Sequence, residues 1–96
     1  MIVSHEKKVA ALMVKHPDAK DVFRKVLVSP KEGWSDYVMR VFDVGKGGNT
    51  PRHSHPWPHI NYILKGNGVL FLDGKEYELE EGSFAYIPDE ALHQFT

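Results

Sequence analysis

The chain has 96 residues, which is enough for one domain, and its formal net charge is −1. The twelve basic and thirteen acidic residues are scattered, which gives no electrostatic reason to expect nucleic acid or an anionic membrane as a partner. The lack of cysteine excludes disulfides, thiolate nucleophiles and cysteine-held zinc, and no apolar run has the length of a membrane span or a signal-peptide core. A cytoplasmic location is therefore the default expectation.

Residues 1–21 predict an N-terminal arm or a short helix. Apolar residues recur at helical spacing between positions 9 and 13, Ser4 is a candidate N-cap, and Pro17 would end such a helix. An extended arm that packs on a neighbouring subunit fits the same residues.

Residues 22–96 predict a single β domain, because short apolar or alternating runs are separated by turn-forming residues. The predicted strands are 22–28, 37–44, 60–64, 69–72, 76–80, 84–87 and 92–95. The glycine-rich segment 45–49 predicts a turn, and Asp73-Gly74 is the signature of a type I′ hairpin. Many short strands at this spacing are typical of a sandwich or a barrel.

Aromatic residues on these strands are expected to pack in the core rather than to bind a substrate: Phe42, Phe71, Tyr77, Phe84 and Tyr86. Trp57 lies between two prolines and fits a pocket wall, an interface and a loop cover equally well. The last predicted strand stops near Thr96, so we expect the barrel to lack its last strands. Further strands of a longer chain, or a partner subunit, would then cover its edge.

Four histidines in the second half of the chain predict a metal site. His53 and His55 are two residues apart, so in an extended segment both side chains project to one face, and His59 has the same parity. His93 follows a strand that can pair beside this group. Neutral imidazoles suit divalent transition metals, whereas calcium and magnesium sites need carboxylates that this segment lacks. The remaining histidines are interpreted as solvated surface residues: His5 and His16.

Two spaced motifs resemble those of the cupin superfamily. The first, Gly-x5-His-x-His-x3-Glu-x6-Gly, is matched over residues 47–66, except that His59 stands at the glutamate position. The second, Gly-x5-Pro-x-Gly-x2-His, is matched over residues 82–93, except that Glu90 replaces the second glycine. The segment His-Ser-His-Pro-Trp-Pro-His is similar to that of small single-domain cupins that bind manganese or a related ion through four histidines.

This resemblance implies an all-β double-stranded β-helix, the jelly-roll barrel of cupins, which is usually dimeric. It also implies one divalent transition metal per chain, with manganese favoured and iron, nickel, zinc or copper as alternatives. The implied ligands are His53, His55, His59 and His93. The expected partners are a second copy of the chain and a small-molecule ligand, without nucleic acid or membrane.

Four neutral imidazoles leave the full charge of a divalent ion uncompensated, which favours an anionic ligand in the remaining coordination positions. The first functional hypothesis is a metal-dependent small-molecule oxygenase or related oxidoreductase. The alternatives are metal-dependent isomerisation or decarboxylation, a non-catalytic ligand-binding or sensing module, and a structural metal site. Three residues near the motifs could act as acid or base, and each could equally be structural: Tyr62, Tyr86 and Glu90.

Overall fold

The structure is a computed structural model and describes residues 2–96 as eight β-strands and two short 3₁₀ turns. The strands are β1 (Leu12–Met13), β2 (Lys20–Val28), β3 (Met39–Asn49), β4 (His59–Tyr62), β5 (Gly68–Leu72), β6 (Lys75–Leu79), β7 (Phe84–Ile87) and β8 (His93–Phe95). They form three antiparallel sheets in the orders β1–β2–β3, β4–β7 and β6–β5–β8. The all-β prediction is confirmed.

The N-terminal segment is largely extended. Its one 3₁₀ turn spans Glu6–Lys8, and His5 rather than Ser4 caps it, because the His5 ring accepts a hydrogen bond from the Lys7 amide at 3.1 Å. β1 then pairs with β2 of the same chain. The segment is therefore an arm on the protein's own sheet rather than a helix, and the domain boundary after residue 21 stays a prediction. Within residues 2–96 no helix is both long and apolar enough to cross a membrane.

The glycine-rich segment 45–49 belongs to β3, so the prediction of a turn there is wrong. Gly48 is buried, and a Cβ at this position would collide with the main-chain oxygen of Lys20 on the paired strand. The glycine therefore permits close approach of β2 and β3. The turn predicted at Asp73-Gly74 is present, with φ values of 48° and 85°, as a type I′ hairpin requires.

The main core lies where the β4–β7 and β6–β5–β8 sheets face each other. Its buried residues are Leu70, Ile87 and Ala91, with Leu72, Leu79, Ala85 and Phe95 packed around them. On β2, Val22 is also buried, at 1% exposure. Ile87 lies directly opposite His59 in the β4–β7 register, so the inner face of this sheet carries both core and candidate site.

The outer face of the β4–β7 sheet is apolar and exposed. Ile60 pairs with Tyr86 and Tyr62 pairs with Phe84, and these four side chains are between 62% and 83% exposed. The described residues expose 7531 Å², against about 5,600 Å² for a compact monomer of this mass. The homodimer implied by the resemblance stays a prediction. This exposed apolar face is a surface that a second copy of the chain could cover.

The prediction of an aromatic core is therefore wrong for most of the residues named. The exposed ones are Phe42, Tyr77, Phe84 and Tyr86, at 44%, 47%, 76% and 62%. Phe71 is half-buried, and its ring lies 3.9 Å from the guanidinium carbon of Arg52. Strand alternation explains the two residues on β7, because burial of Ile87 turns Tyr86 and Phe84 outwards.

Two isoleucines on paired strands test this assignment of faces. Ile87→Ala should lower the free energy of unfolding by about 2–5 kcal/mol, because it empties a fully buried position. Ile60→Ala, at a position 83% exposed, should change it by no more than about 0.5 kcal/mol. Urea unfolding of both variants measures the difference, and similar losses would contradict the inner and outer faces described here.

Candidate metal centre

A pair of main-chain hydrogen bonds joins the two histidine segments. The His53 amide donates to the His93 carbonyl at 3.1 Å, and the His93 amide donates to the His53 carbonyl at 3.0 Å. Residues paired in this way project to the same face of a sheet. The His53 and His93 rings consequently lie with their centroids 4.7 Å apart.

The remaining two histidines lie beside His53 and His93. His55 belongs to the loop before β4, and His59 is the first residue of β4. The carbonyl of His55 accepts a hydrogen bond from the Glu90 amide at 2.8 Å, which ties this loop to the turn before β8. His59 begins β4, with its ring centroid 4.3 Å from that of His55 and 5.2 Å from that of His93. All four sequence-predicted histidines are therefore neighbours.

Backbone carbonyls fix the tautomer of three of these rings. The Nδ1 atoms of His53, His55 and His93 lie 2.7 Å, 2.9 Å and 2.9 Å from the carbonyl oxygens of residues 51, 57 and 91. A carbonyl oxygen only accepts, so each Nδ1 must carry the proton and each neutral ring keeps its lone pair on Nε2. Metal-binding imidazoles are commonly oriented by such a bond through the other nitrogen.

One ring nitrogen from each of His53, His55 and His93 lies within 4.8 Å of the other two. Metal–imidazole bonds of about 2.0–2.1 Å place two nitrogens on one ion up to about 4.2 Å apart, which is similar to this limit. This candidate group, taken over residues 2–96, contains no carboxylate or thiolate. The nitrogen donors therefore fit a divalent transition metal rather than calcium or magnesium.

His59 contacts this group differently. Its Nε2 lies 2.5 Å from Nε2 of His55, and the latter atom holds a lone pair because its Nδ1 is the protonated nitrogen. In the metal-free state Nε2 of His59 must therefore supply the proton between them. With metal–imidazole bonds of about 2.0–2.1 Å, two nitrogens on one ion lie roughly 3 Å or more apart, so His59 and His55 would have to separate for His59 to become a fourth ligand. That role stays a prediction.

The electrostatics of the cluster favour neutral imidazoles. Burial, followed by the neighbouring His55 and His93, lowers the pKa of His59 to about 4. Burial also lowers the pKa of His93, with its hydrogen bond to the Ala91 carbonyl acting in the opposite direction. Metal ions bind neutral imidazole rather than imidazolium, so at neutral pH His59 already has the charge that a ligand requires.

Trp57 packs against one histidine of the cluster. Its indole stacks on the His55 ring with centroids 4.5 Å apart and planes 10° from parallel, while its carbonyl accepts the hydrogen bond from Nδ1 of His55. At 55% exposure the indole separates His55 from solvent on one side only. Of the three roles that the sequence left open, the contacts correspond to a site wall.

The candidate acids and bases do not lie at this site. Tyr62 and Tyr86 are on the outer face of the β4–β7 sheet, and Glu90 is an exposed turn residue with a φ of 65°. Asn61 was missed, although it shares the parity of His59 and so lies on the inner face. Its Oδ1 is buried without a hydrogen-bond partner among the described residues, so it is a polar group available to a ligand.

His93 and His16 provide a matched test of the cluster. His16 is exposed and its Nδ1 accepts from the Asp18 amide, so it belongs to no metal site. His93→Ala should weaken manganese binding at least about tenfold, whereas His16→Ala should leave it unchanged. Titration with Mn²⁺ followed by electron paramagnetic resonance measures both. Since His93 is buried, His93→Gln serves as a volume-preserving control, and equal affinities in all variants would contradict the assignment.

Comparison with known proteins agrees with this geometry. A family model described as a cupin domain matches residues 40–96. The structure is similar to that of the polyketide cyclase RemF from Streptomyces resistomycificus, with a TM-score of 0.93 and 33% identity, covering 100% of this chain and 69% of that one. It is also similar to a cupin-2 domain protein from Rhodospirillum rubrum, with a TM-score of 0.83 and 28% identity, covering 98% and 64%.

An uncharacterized protein from Aquifex aeolicus is 40% identical over 42 residues, which are 43% of this chain and 35% of that protein. The chain thus spans less than two fifths of the curated relatives it matches, 35% and 39% of their lengths. The family model nevertheless covers more than half of this chain, and the expected jelly-roll fold is confirmed by the similar structures. The chain belongs to the cupin superfamily, as a cupin domain of the Cupin_2 type.

Proposed function

We propose that this cupin binds one divalent transition metal per chain and acts as a metal-dependent enzyme on a small organic ligand. The proposed ligands are His53, His55, His59 and His93. The observation that supports the proposal is the tautomer of three of them, because their Nδ1–H groups are held by carbonyls and their Nε2 lone pairs are left for an ion.

A divalent ion held by neutral imidazoles would supply Lewis acidity to an oxygen atom of the ligand. Around it, the chain's own residues would orient that ligand and limit the access of water. Asn61 offers an unpartnered amide oxygen on the inner face beside His59. Trp57 shields the His55 side of the cluster. This arrangement suits binding and polarisation of a small carbonyl or enolate compound.

The similarity to a polyketide cyclase supports chemistry without oxidation, because the name of that enzyme describes ring formation. A neutral set of ligands also disfavours a higher oxidation state of the metal, since no carboxylate offsets the added charge. Lewis-acid catalysis is therefore the reaction type we propose first.

The metal-dependent oxygenase or related oxidoreductase expected from the sequence is the second candidate. Imidazole donors suit iron, manganese and copper, which is the observation in its favour. Turnover of candidate enolisable compounds with and without dioxygen distinguishes Lewis-acid catalysis from an oxygenase reaction. We expect the rate to be unchanged under nitrogen, and consumption of one dioxygen per turnover would favour the oxygenase instead.

An open coordination position distinguishes an enzyme from a closed structural site. The Mn²⁺-loaded protein should enhance the longitudinal relaxation of water protons, because an open position exchanges water with the solvent. Removal of a ligand in His59→Ala should lower the metal content per chain and raise the relaxation enhancement per bound ion. Mass spectrometry of metal content and water-proton relaxation measure the two quantities.

His16→Ala, at an exposed histidine outside the cluster, is the control for this experiment and should match the wild type in both quantities. Full metal content in His59→Ala would remove His59 from the set of ligands. No enhancement in the wild type would favour a structural metal, and no metal after loading would contradict the proposed function.

A further inference from the structure

The outer face of the β4–β7 sheet is a continuous apolar surface, which we call the outer patch. It consists of two cross-strand pairs, Ile60 with Tyr86 and Tyr62 with Phe84, whose members are 83%, 62%, 64% and 76% exposed in that order. Strand alternation places all four on one side of the sheet, because His59 faces the interior. Adjacent pairs on one face of an antiparallel sheet are neighbours, so the four side chains form one surface.

The outer patch is as large as half of a stable protein interface. An aromatic side chain has about 150–250 Å² to bury, so the exposed fractions of the three aromatic residues and Ile60 amount to roughly 600 Å². That is the upper end of the about 300–600 Å² found for the largest apolar patch of a typical monomer. Two such patches in contact would bury roughly 1,200 Å² in total, which reaches the lower end of the about 1,200–2,000 Å² of stable specific interfaces.

The chemistry of the outer patch fits a second copy of the same surface. Strands β4 and β7 contain no lysine, arginine, aspartate or glutamate, so the patch can face itself without repulsion between like charges. Phenylalanine and tyrosine are enriched at interfaces, whose centres are depleted of charged residues. A membrane surface fits less well, because these strands lack the basic residues that anionic headgroups attract.

We propose that the outer patch is a homodimer interface, in which the β4–β7 sheets of two copies pack face to face across a two-fold axis. A contact between identical surfaces closes on itself and gives a dimer rather than an open chain of molecules. His59 faces the opposite side of the sheet, so each copy keeps its own histidine cluster. The N-terminal arm is not needed for this contact, because β1 pairs with β2 of its own chain.

Phe84→Glu tests the interface, because it places a charge in each of the two facing patches. The wild type, at 11.0 kDa per chain, should sediment with twice that mass at micromolar concentration. The substitution should raise the dissociation constant at least about a hundredfold, since like charges would be desolvated together. Sedimentation equilibrium measures the constant, and circular dichroism should show an unchanged fold because Phe84 is 76% exposed in the separate chain.

Met13→Glu is the matched control. Met13 is an apolar strand residue on β1, 57% exposed and outside the outer patch, and the substitution introduces the same charge. It should leave the dissociation constant unchanged. A dimer that dissociates in Met13→Glu but not in Phe84→Glu would place the interface on the N-terminal arm and overturn the proposal. A wild type that stays monomeric at high micromolar concentration would overturn it as well.

A mixing experiment tests whether the outer patch meets its own copy. Phe84→Glu and Phe84→Lys should each be monomeric alone, and an equimolar mixture should form dimers again, because opposite charges then face each other. Restored dimers would also show that both variants are folded. A mixture that stays monomeric, with the circular dichroism of both variants unchanged, would contradict a contact between two copies of this face.

The small effect of Ile60→Ala on unfolding is expected of the separate chain. In the dimer this side chain would be covered, so the loss of stability should grow with protein concentration, as linkage to association requires. Urea unfolding of this variant and of the wild type over a range of protein concentrations measures the trend, and a loss independent of concentration would contradict the interface. None of these measurements needs a metal, so their outcome is independent of the proposed function.

Discussion

The two main-chain hydrogen bonds between His53 and His93 are the contact on which the site depends. They unite segments far apart in the chain and place a residue of the loop before β4 beside the first residue of β8. His59 then comes from a sheet that β8 does not belong to, so the cluster lies where the β4–β7 and β6–β5–β8 sheets meet. Ile87, opposite His59, belongs to the core between the same sheets. The core and the histidine cluster thus share one interface between sheets.

The histidine cluster was predictable because residue spacing within two short motifs identifies its members. Alternate spacing places His53 and His55 on one face, and the position of His93 within its motif supplies the third member. The positions of the aromatic residues were not predictable in the same way, because strand alternation does not say which face is inside. Once His59 is placed inwards, however, Ile60 and Tyr62 must face outwards, and their partners Tyr86 and Phe84 follow through the register. This reasoning from the inward position of His59 would have excluded Tyr62 and Tyr86 as candidate acids and bases.

Arg24 and Arg40 show a limit of a different kind. Each lies in a strand with many apolar residues, and nothing in the local sequence shows that the two arginines share one face of a sheet. Their common face depends on the β2–β3 register. Beyond a register shift the same two strands approach closely at Gly48, in a segment whose glycines are typical of a turn. Long-range pairing between strands, rather than residue type, decides that these two charges share one face of the sheet.

The groups that orient the three imidazoles are main-chain atoms, the carbonyls of Pro51, Trp57 and Ala91. Every amino acid has a carbonyl, so exchanging these side chains does not delete the acceptors. Sites oriented by an aspartate or a glutamate can lose that support through one codon change, whereas this support is lost only when the path of the backbone moves. The ring orientations should therefore tolerate much sequence drift around the cluster. Insertions and deletions in the loops, rather than point substitutions, are the mutations to which this orientation is vulnerable.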